Sequence, residues 1–329
     1  MRPFEYGRAE NEGQALTLGG RFLAGGTTLI DLMRLDVERP SLVTDITRLP
    51  LREIGNAGGG LRIGALASNT ATAEHPLVRE RYPLLSEAIL AGASQQIRNM
   101  ASMSGNVMQR TRCPYFRNLD FPRCNKRDIG SGCGAIEGDH RKHAVLGTSE
   151  CCIAVHASDA AVALVALDCS LTLHGPEGER EVALTDFLLK PENHPELEHD
   201  LKPGELIVSL NLPALPWAVN GTYLKVRERE SYAFALASAA VAVDLDGDTV
   251  RDVRIALGGV GTVPWRAREA EEALRGQPAT RAAFEEAARV ALRDARPLAQ
   301  NAYKVGLARN VIVRALERVT GGPMTGERA

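Results

Sequence analysis

Arg21-Phe22-Leu23-Ala24-Gly25-Gly26-Thr27-Thr28-Leu29 joins a short, mostly apolar run to a segment in which Leu29, Leu32, Met33 and Leu35 recur at helical spacing. The pattern predicts a strand, a glycine turn and a helix. Backbone N–H groups freed at such a turn, helped by the helix dipole, form a cradle for a phosphate or pyrophosphate. Glycine lets the backbone approach an anion closely, and Thr27 and Thr28 add hydroxyl donors. The same residues also read as a plain tight turn, and they match neither G-x-G-x-x-G nor a Walker loop with its lysine.

Downstream, Ser41–Ile46 reads as a strand, and the runs around Asn56-Ala57-Gly58-Gly59-Gly60 read as a hairpin. Ser68, Asn69 and Thr70 offer helix caps, and Leu84, Leu85, Ala88 and Ile89 give the segment after them a buried stripe. Periodicity vanishes from Cys113 to about Ser149, and a nonperiodic stretch of that length is usually functional or disordered. Regularity returns with Ile153–Val155, the apolar helical run Ala160–Leu167, a hairpin turning at Pro176-Glu177-Gly178, and a strand over Glu205–Leu212. Pro213 and Pro216 mark a domain boundary. Beyond it, GTYLKVRE, FALASAAVAVDL and VRDVRIALGGV read as strands, followed by helices beginning near Trp265, Thr280 and Gln300. An antiparallel sheet covered by helices, an α+β arrangement, is the expectation for this half.

The cysteines are clustered: Cys113, Cys124, Cys133, Cys151 and Cys152 fall within forty residues, and only Cys169 lies outside. Cys113, Cys124, Cys133 and Cys152 supply the thiolates a [4Fe–4S] cube needs, and Gly130, Gly132, Gly134 and Gly138 allow backbone N–H groups to reach its sulfurs. Arg110, Arg112, Arg117, Arg123, Lys126 and Arg127 would lower thiolate pKa values and raise the reduction potential. Structural zinc competes, although its closely spaced C-x2–4-C pairs are absent. Disulfides and a nucleic-acid patch are further readings; the second lacks interleaved aromatics beyond Tyr115, Phe116 and Phe121. His140, His143 and His156 read as packed or solvated side chains, and Cys169 as a buried structural thiol.

The 329 residues suggest about two domains, and 39 basic against 41 acidic side chains leave no field to hold nucleic acid or anionic lipid. No apolar stretch approaches the ~20 residues that span a bilayer, so no membrane insertion is expected. MRPFEYGRAE has no apolar core of a signal peptide. The expectation is synthesis in the cytoplasm, with any periplasmic location reached by co-export with a signal-bearing partner.

A second short motif, Ala101-Ser102-Met103-Ser104-Gly105-Asn106, leads a helix into a small-residue turn suited to a second region of an elongated ligand. With it, the chain resembles the FAD-binding medium subunits of the xanthine dehydrogenase and molybdenum hydroxylase family over essentially its whole length. The family's A-G-G-T-x-L motif is met by Ala24, Gly25, Gly26, Thr27 and Leu29, with Leu23 and Thr28 beside it. Its T-I-G-G-N motif is met by Ser102, Ser104, Gly105 and Asn106, with Ser104 in place of the first glycine. The resemblance also implies that Ser158 and Asp159 approach the ribityl and ring region, that Ile207 lies near the adenine or ring, and that Lys225 is the flavin-adjacent lysine. On the residues alone, Asp159 reads as a helix N-cap and Lys225 as a surface lysine.

The implied fold is a two-part FAD-binding domain of the vanillyl-alcohol oxidase type over residues 1–217, with subdomains at about 1–55 and 56–217 and a cysteine-rich loop at about 110–152. Residues 218–329 would form a C-terminal domain of the carbon monoxide dehydrogenase flavoprotein type. The cysteine loop further resembles that of flavin subunits of bacterial periplasmic aldehyde oxidoreductases, which implies a [4Fe–4S] cluster on Cys113, Cys124, Cys133 and Cys152, the last preferred over Cys151. The resemblance thus implies an electron-transfer oxidoreductase subunit carrying FAD and that cluster. Its partners would be a large molybdenum-cofactor subunit, a small [2Fe–2S] subunit and an external electron acceptor. No Ser-His-Asp set, metal-binding His pair or carboxylate pair suggests acid–base catalysis in this chain. Competing readings are a zinc-holding scaffold with a degenerate flavin site, a flavin subunit of a xanthine or CO dehydrogenase-like hydroxylase, and a self-sufficient flavin oxidase.

Overall fold

The computed structural model describes residues 1–321, so the last stretch of the expected second domain, 322–329, lies outside the described residues. Three sheets organise the chain. The first contains β1 (Glu5–Arg8), β2 (Arg21–Leu23) and β3 (Leu42–Asp45) in the order β1-β3-β2, with both pairings parallel. β2 and β3 and the helix Leu29–Arg34 fall where the apolar spacing places them. β1 has no apolar alternation to announce it: Glu5-Tyr6-Gly7-Arg8 is an exposed edge strand that exists because β3 offers it a parallel partner.

The second sheet contains β4 (Ile54–Ala57), β5 (Gly60–Gly64), β6 (Ser170–Gly175), β7 (Gly178–Ala183) and β8 (Leu206–Leu212), in the antiparallel order β4-β5-β8-β6-β7. The chain leaves this sheet after β5 and returns at β6. Inside that excursion lie the buried helix Pro83–Ala91, the short helix Met103–Val107, the cysteine loop and the helix Asp159–Ala166. Regularity does not return at Ile153–Val155, which is neither strand nor helix; the Ile153 carbonyl accepts a hydrogen bond from Ala144 N–H. The cysteine stretch is irregular apart from single helical turns at Pro114–Arg117 and Gly134–Glu137.

The third sheet is the meander β9 (Gly221–Val226), β10 (Ala237–Asp246), β11 (Thr249–Gly258) and β12 (Trp265–Arg266), all antiparallel. Trp265 itself pairs with Leu257 as an edge strand, and the helix expected near it begins at Arg268, followed by helices Arg281–Ala291 and Tyr303–Thr320. Period-two alternation along β10 sends Ala239, Val241 and Val243 into the core under those helices. Ala240 and Ala242 face the other way, into the core shared with helices Pro83–Ala91 and Asp159–Ala166. The third sheet is therefore a partition with an apolar core on each side, and small alanines let the alanine-rich helix Asp159–Ala166 approach it closely.

A cofactor cleft beside a cysteine pocket

A cleft of ≈ 890 Å³ opens where the three sheets' connecting segments meet. That is at the upper end of the roughly 300–1,000 Å³ usual for ligand pockets. Thr27 and Thr28 from the glycine turn line it, as do Ala101, Gly105 and Asn106 from the second motif, Ser158 and Asp159 from the helix start, and Lys225 from β9. Neither Thr27 nor Thr28 donates its N–H or hydroxyl to an acceptor in the described chain, so these groups are free for a ligand. The glycines act one layer back. Gly26 sits at φ +71°, and a Cβ on Gly25 would lie 1.9 Å from the Met100 carbonyl oxygen. Gly25 thus lets the two motif loops touch.

The second motif folds as the first turn of the helix Met103–Val107, whose N-cap Ser102 accepts from Gly105 N–H at 3.1 Å. Ser104 is buried in that turn with helical backbone, so no positive φ is required and serine fits where the family pattern has glycine. The Gly105 amide is already used by Ser102, which leaves Gly105 and Asn106 to meet a ligand through other atoms. Leu23, Ala24, Leu29 and Ile207 are not on the cleft wall. Ile207 lies in β8 opposite Leu173, inside the main core, because its side of the strand faces the helices of the excursion.

Ser158, not Asp159, is the N-cap: its hydroxyl accepts from Ala161 N–H at 2.9 Å and donates to Asn106 Oδ1, tying the third segment to the second. Asp159 is freed for another task. Its Oδ2 lies 2.8 Å from Lys225 Nζ and its Oδ1 accepts from the Tyr223 hydroxyl at 2.5 Å. Lys225 is only 4% exposed and also donates to the Ala91 carbonyl at the C-terminus of its helix, where a cation is favoured. Burial and the Asp159 carboxylate together push the Tyr223 phenol well above its ordinary range. The cap and surface-lysine readings of these two residues are thereby replaced by a buried ion pair.

Cys113, Cys124, Cys133, Cys151 and Cys152 surround one small pocket closed by Phe116, Lys126 and Ala154. Backbone pairing of Cys124 with Cys133 sets two thiols side by side. Asn125 holds the loop between them, accepting from Gly130 and Gly132 N–H at 3.0 and 2.9 Å and donating to the Cys151 carbonyl. Gly130 and Gly132, at φ +87° and +92°, adopt backbone that side-chain residues avoid. Burial pushes the Cys113 thiol up to about 12 and that of Cys152 up to about 11, so without a metal both stay protonated at neutral pH. Cys152 is the more buried of the adjacent pair. Cys169 is remote, buried in the main core with its Sγ against the Ser170 carbonyl.

The basic run does not face the thiols as one positive patch. Arg112 and Arg117 pair with Asp31, Arg123 with Glu137, Arg110 with Glu38 and Glu198, and Lys126 with Glu198. Arg127 donates to the carbonyls of Phe116, Asn118 and Phe121. These cations staple the loop to the body of the protein; Lys126 is the one whose charge also favours the Cys152 thiolate.

Cys113 lines both cavities: it belongs to the thiol pocket and to the wall of the large cleft. Residues 3–215 match the family described as the FAD binding domain in molybdopterin dehydrogenase, and residues 222–319 match the CO dehydrogenase flavoprotein C-terminal domain. The chain is an FAD-binding medium subunit of the molybdenum hydroxylase family. It is 46% identical to the aldehyde oxidoreductase FAD-binding subunit PaoB of Escherichia coli, over 96% of this chain and 98% of that one. The carbon monoxide dehydrogenase medium chain of Hydrogenophaga pseudoflava is 28% identical over 95% and 96% of the two chains. The solved carbon monoxide dehydrogenase of that organism superposes with a TM-score of 0.75 at 27% identity, covering 98% and 99% of the chains.

The residues of this flavoprotein subunit fit a dinucleotide. Besides the free Thr27 and Thr28 donors, Asn69 Oδ1 and Arg112 Nε are buried without partners, and both residues line the cleft. Asn69 and Arg112 carry no motif signal, since each is brought to the cleft by its flanking helix or cysteine. The thiol pocket is an all-sulfur donor set. Among the described residues no three His, Cys, Asp or Glu side chains converge as ligands of a single metal ion. Nor is any described helix long and apolar enough to cross a membrane.

Proposed function

We propose that this chain is the FAD- and [4Fe–4S]-carrying electron-transfer subunit of a molybdenum-dependent aldehyde oxidoreductase. A large subunit holding the molybdenum cofactor oxidises the aldehyde, a small [2Fe–2S] subunit passes the electrons on, and this chain delivers them to an external acceptor. The 46% identity to an aldehyde oxidoreductase FAD-binding subunit supports that substrate class.

The place of Cys113 carries the two-centre reading, because a ligand to a cluster in the thiol pocket would stand in the wall of the flavin cleft. Bound flavin and cluster would supply the exchange of electrons in pairs and singly. The chain's residues supply position. Thr27 and Thr28 offer donors to the pyrophosphate at the start of a helix. Lys225 and Asp159 present a fixed charge pair to the cleft. Cys113, Cys124, Cys133 and Cys152, which line one pocket, would hold the cube. No side chain of this chain is assigned an acid–base step.

Rapid mixing of the purified complex with an aldehyde tests the reading. Flavin absorbance should bleach and a reduced-cluster signal should develop in the complex, while the chain alone stays oxidised under the same aldehyde. An isolated chain that oxidises aldehyde, or a complex whose flavin never bleaches, would overturn it.

A further inference from the structure

His143 lies between the two cavities. Its Nε2 is 3.2 Å from Cys113 Sγ, its Nδ1 is buried without a partner, and the residue lines the cofactor cleft. The backbone around it is fixed by the start of the C-terminal helix. Asn301 Nδ2 donates to the carbonyls of His143 and Ala144 at 3.4 and 3.1 Å, and the wholly buried Lys304 donates to the carbonyls of Lys142 and Gly259 at 2.9 and 2.6 Å. Three residues before His143, His140 exchanges hydrogen bonds with Gln300, Gln300 N–H to His140 Nε2 and His140 N–H to Gln300 Oε1, both at 3.1 Å. A lysine buried against carbonyls alone is costly to keep, and here it holds the segment that carries His143.

Building on the two-centre reading above, we propose that His143 is a positioning residue that tunes the cluster: its Nε2–H donates to the Cys113 thiolate, and the Asn301 and Lys304 clamp fixes that geometry. A hydrogen bond to a ligating sulfur stabilises the more negative, reduced state and so raises the reduction potential. Cys113 is the thiol of the set that also lines the flavin cleft, so this bond acts on the side of the cluster facing the flavin.

The test is an EPR-monitored redox titration of the purified complex carrying His143→Leu, with His143→Gln beside it. With FAD and iron contents equal to wild type, His143→Leu should shift the cluster to lower potential, and His143→Gln, which keeps an N–H donor, should recover much of the shift. An unchanged potential in His143→Leu would overturn the proposal. Should His143→Leu assemble no cluster, pulsed EPR of reduced wild-type complex labelled with 15N-histidine decides the matter: a 15N coupling to the cluster spin is expected, and its absence overturns the proposal. A wild-type complex without iron would instead remove the two-centre reading itself, so the two failures are distinguishable.

Discussion

Lys225 Nζ and Asp159 Oδ2 stand 2.8 Å apart across the junction of the two domains, with side chains only 4% and 10% exposed. The lysine comes from β9 of the C-terminal sheet and the aspartate from the first turn of a helix in the FAD-binding domain. Glu87 adds to the joint, accepting from Thr222 hydroxyl and Tyr223 N–H at 2.7 and 2.8 Å. The cleft is therefore built from both domains, and its shape depends on their staying docked.

Removing one partner of a buried ion pair leaves the other charge uncompensated, at a cost of about 3–5 kcal/mol. Lys225→Met should lower stability by that order in urea denaturation of the purified protein. The double variant Lys225→Met/Asp159→Asn should recover a large part of the loss. Equal instability of single and double variants would show that the pair is not coupled.

Gly25 and Gly26 should respond differently to alanine. In Gly25→Ala the new Cβ meets the Met100 carbonyl at 1.9 Å, forcing the two motif loops apart, and the purified protein should lose its FAD. Gly26→Ala places a side chain at φ +71°, a strain of about 1–2 kcal/mol, and its Cβ meets only the ends of the Ile30 and Leu23 side chains, at 3.1 and 3.2 Å, so it should retain FAD more weakly bound. Flavin content after gel filtration distinguishes them; the reverse order would contradict the loop-contact account.

Of the adjacent thiols, Cys152 is the buried one and Cys151 the half-exposed one. Cys152→Ser should lose iron while keeping FAD, and Cys151→Ser should keep both. Iron analysis of the two variants checks this, and iron loss in Cys151→Ser alone would assign the ligand to the other neighbour.

Burial would raise the Glu198 carboxyl, but Lys126 and Arg110 outweigh it and hold it down at about 2. A carboxylate depressed in the folded state stabilises above its unfolded pKa of about 4.3, and that contribution fades as pH falls toward 2. Glu198→Gln should therefore be less stable than wild type at pH 7, with the gap narrowing between pH 4.5 and 3. Denaturant midpoints at those pH values measure it; a gap that widens on acidification would reverse the assigned sign.

Much of this architecture is legible in local sequence because local physics dictates it. The glycine turn before Leu29, the Ser68 cap and the alternation along β10 each state their structure in a few residues. What the sequence hides depends on distant partners. β1 is strand because β3 lies beside it, and Trp265 extends because β11 offers an edge. Ile207 faces the core because of the side of β8 it occupies. The arginines around the cysteines read as a charge cluster until Asp31, Glu38 and Glu198, remote in sequence, and Glu137 within the loop are seen to pair with them. The Asp159–Lys225 pair spans 66 residues, and nothing local to either marks it.

The central claim is that one chain holds a flavin and an iron–sulfur cube side by side. FAD, iron and acid-labile sulfide per chain after anaerobic purification test it most directly. One FAD with about four iron and four sulfide is the predicted result. FAD without iron, or with one zinc in its place, would contradict it and leave the cysteine pocket a structural element of a plain flavin subunit.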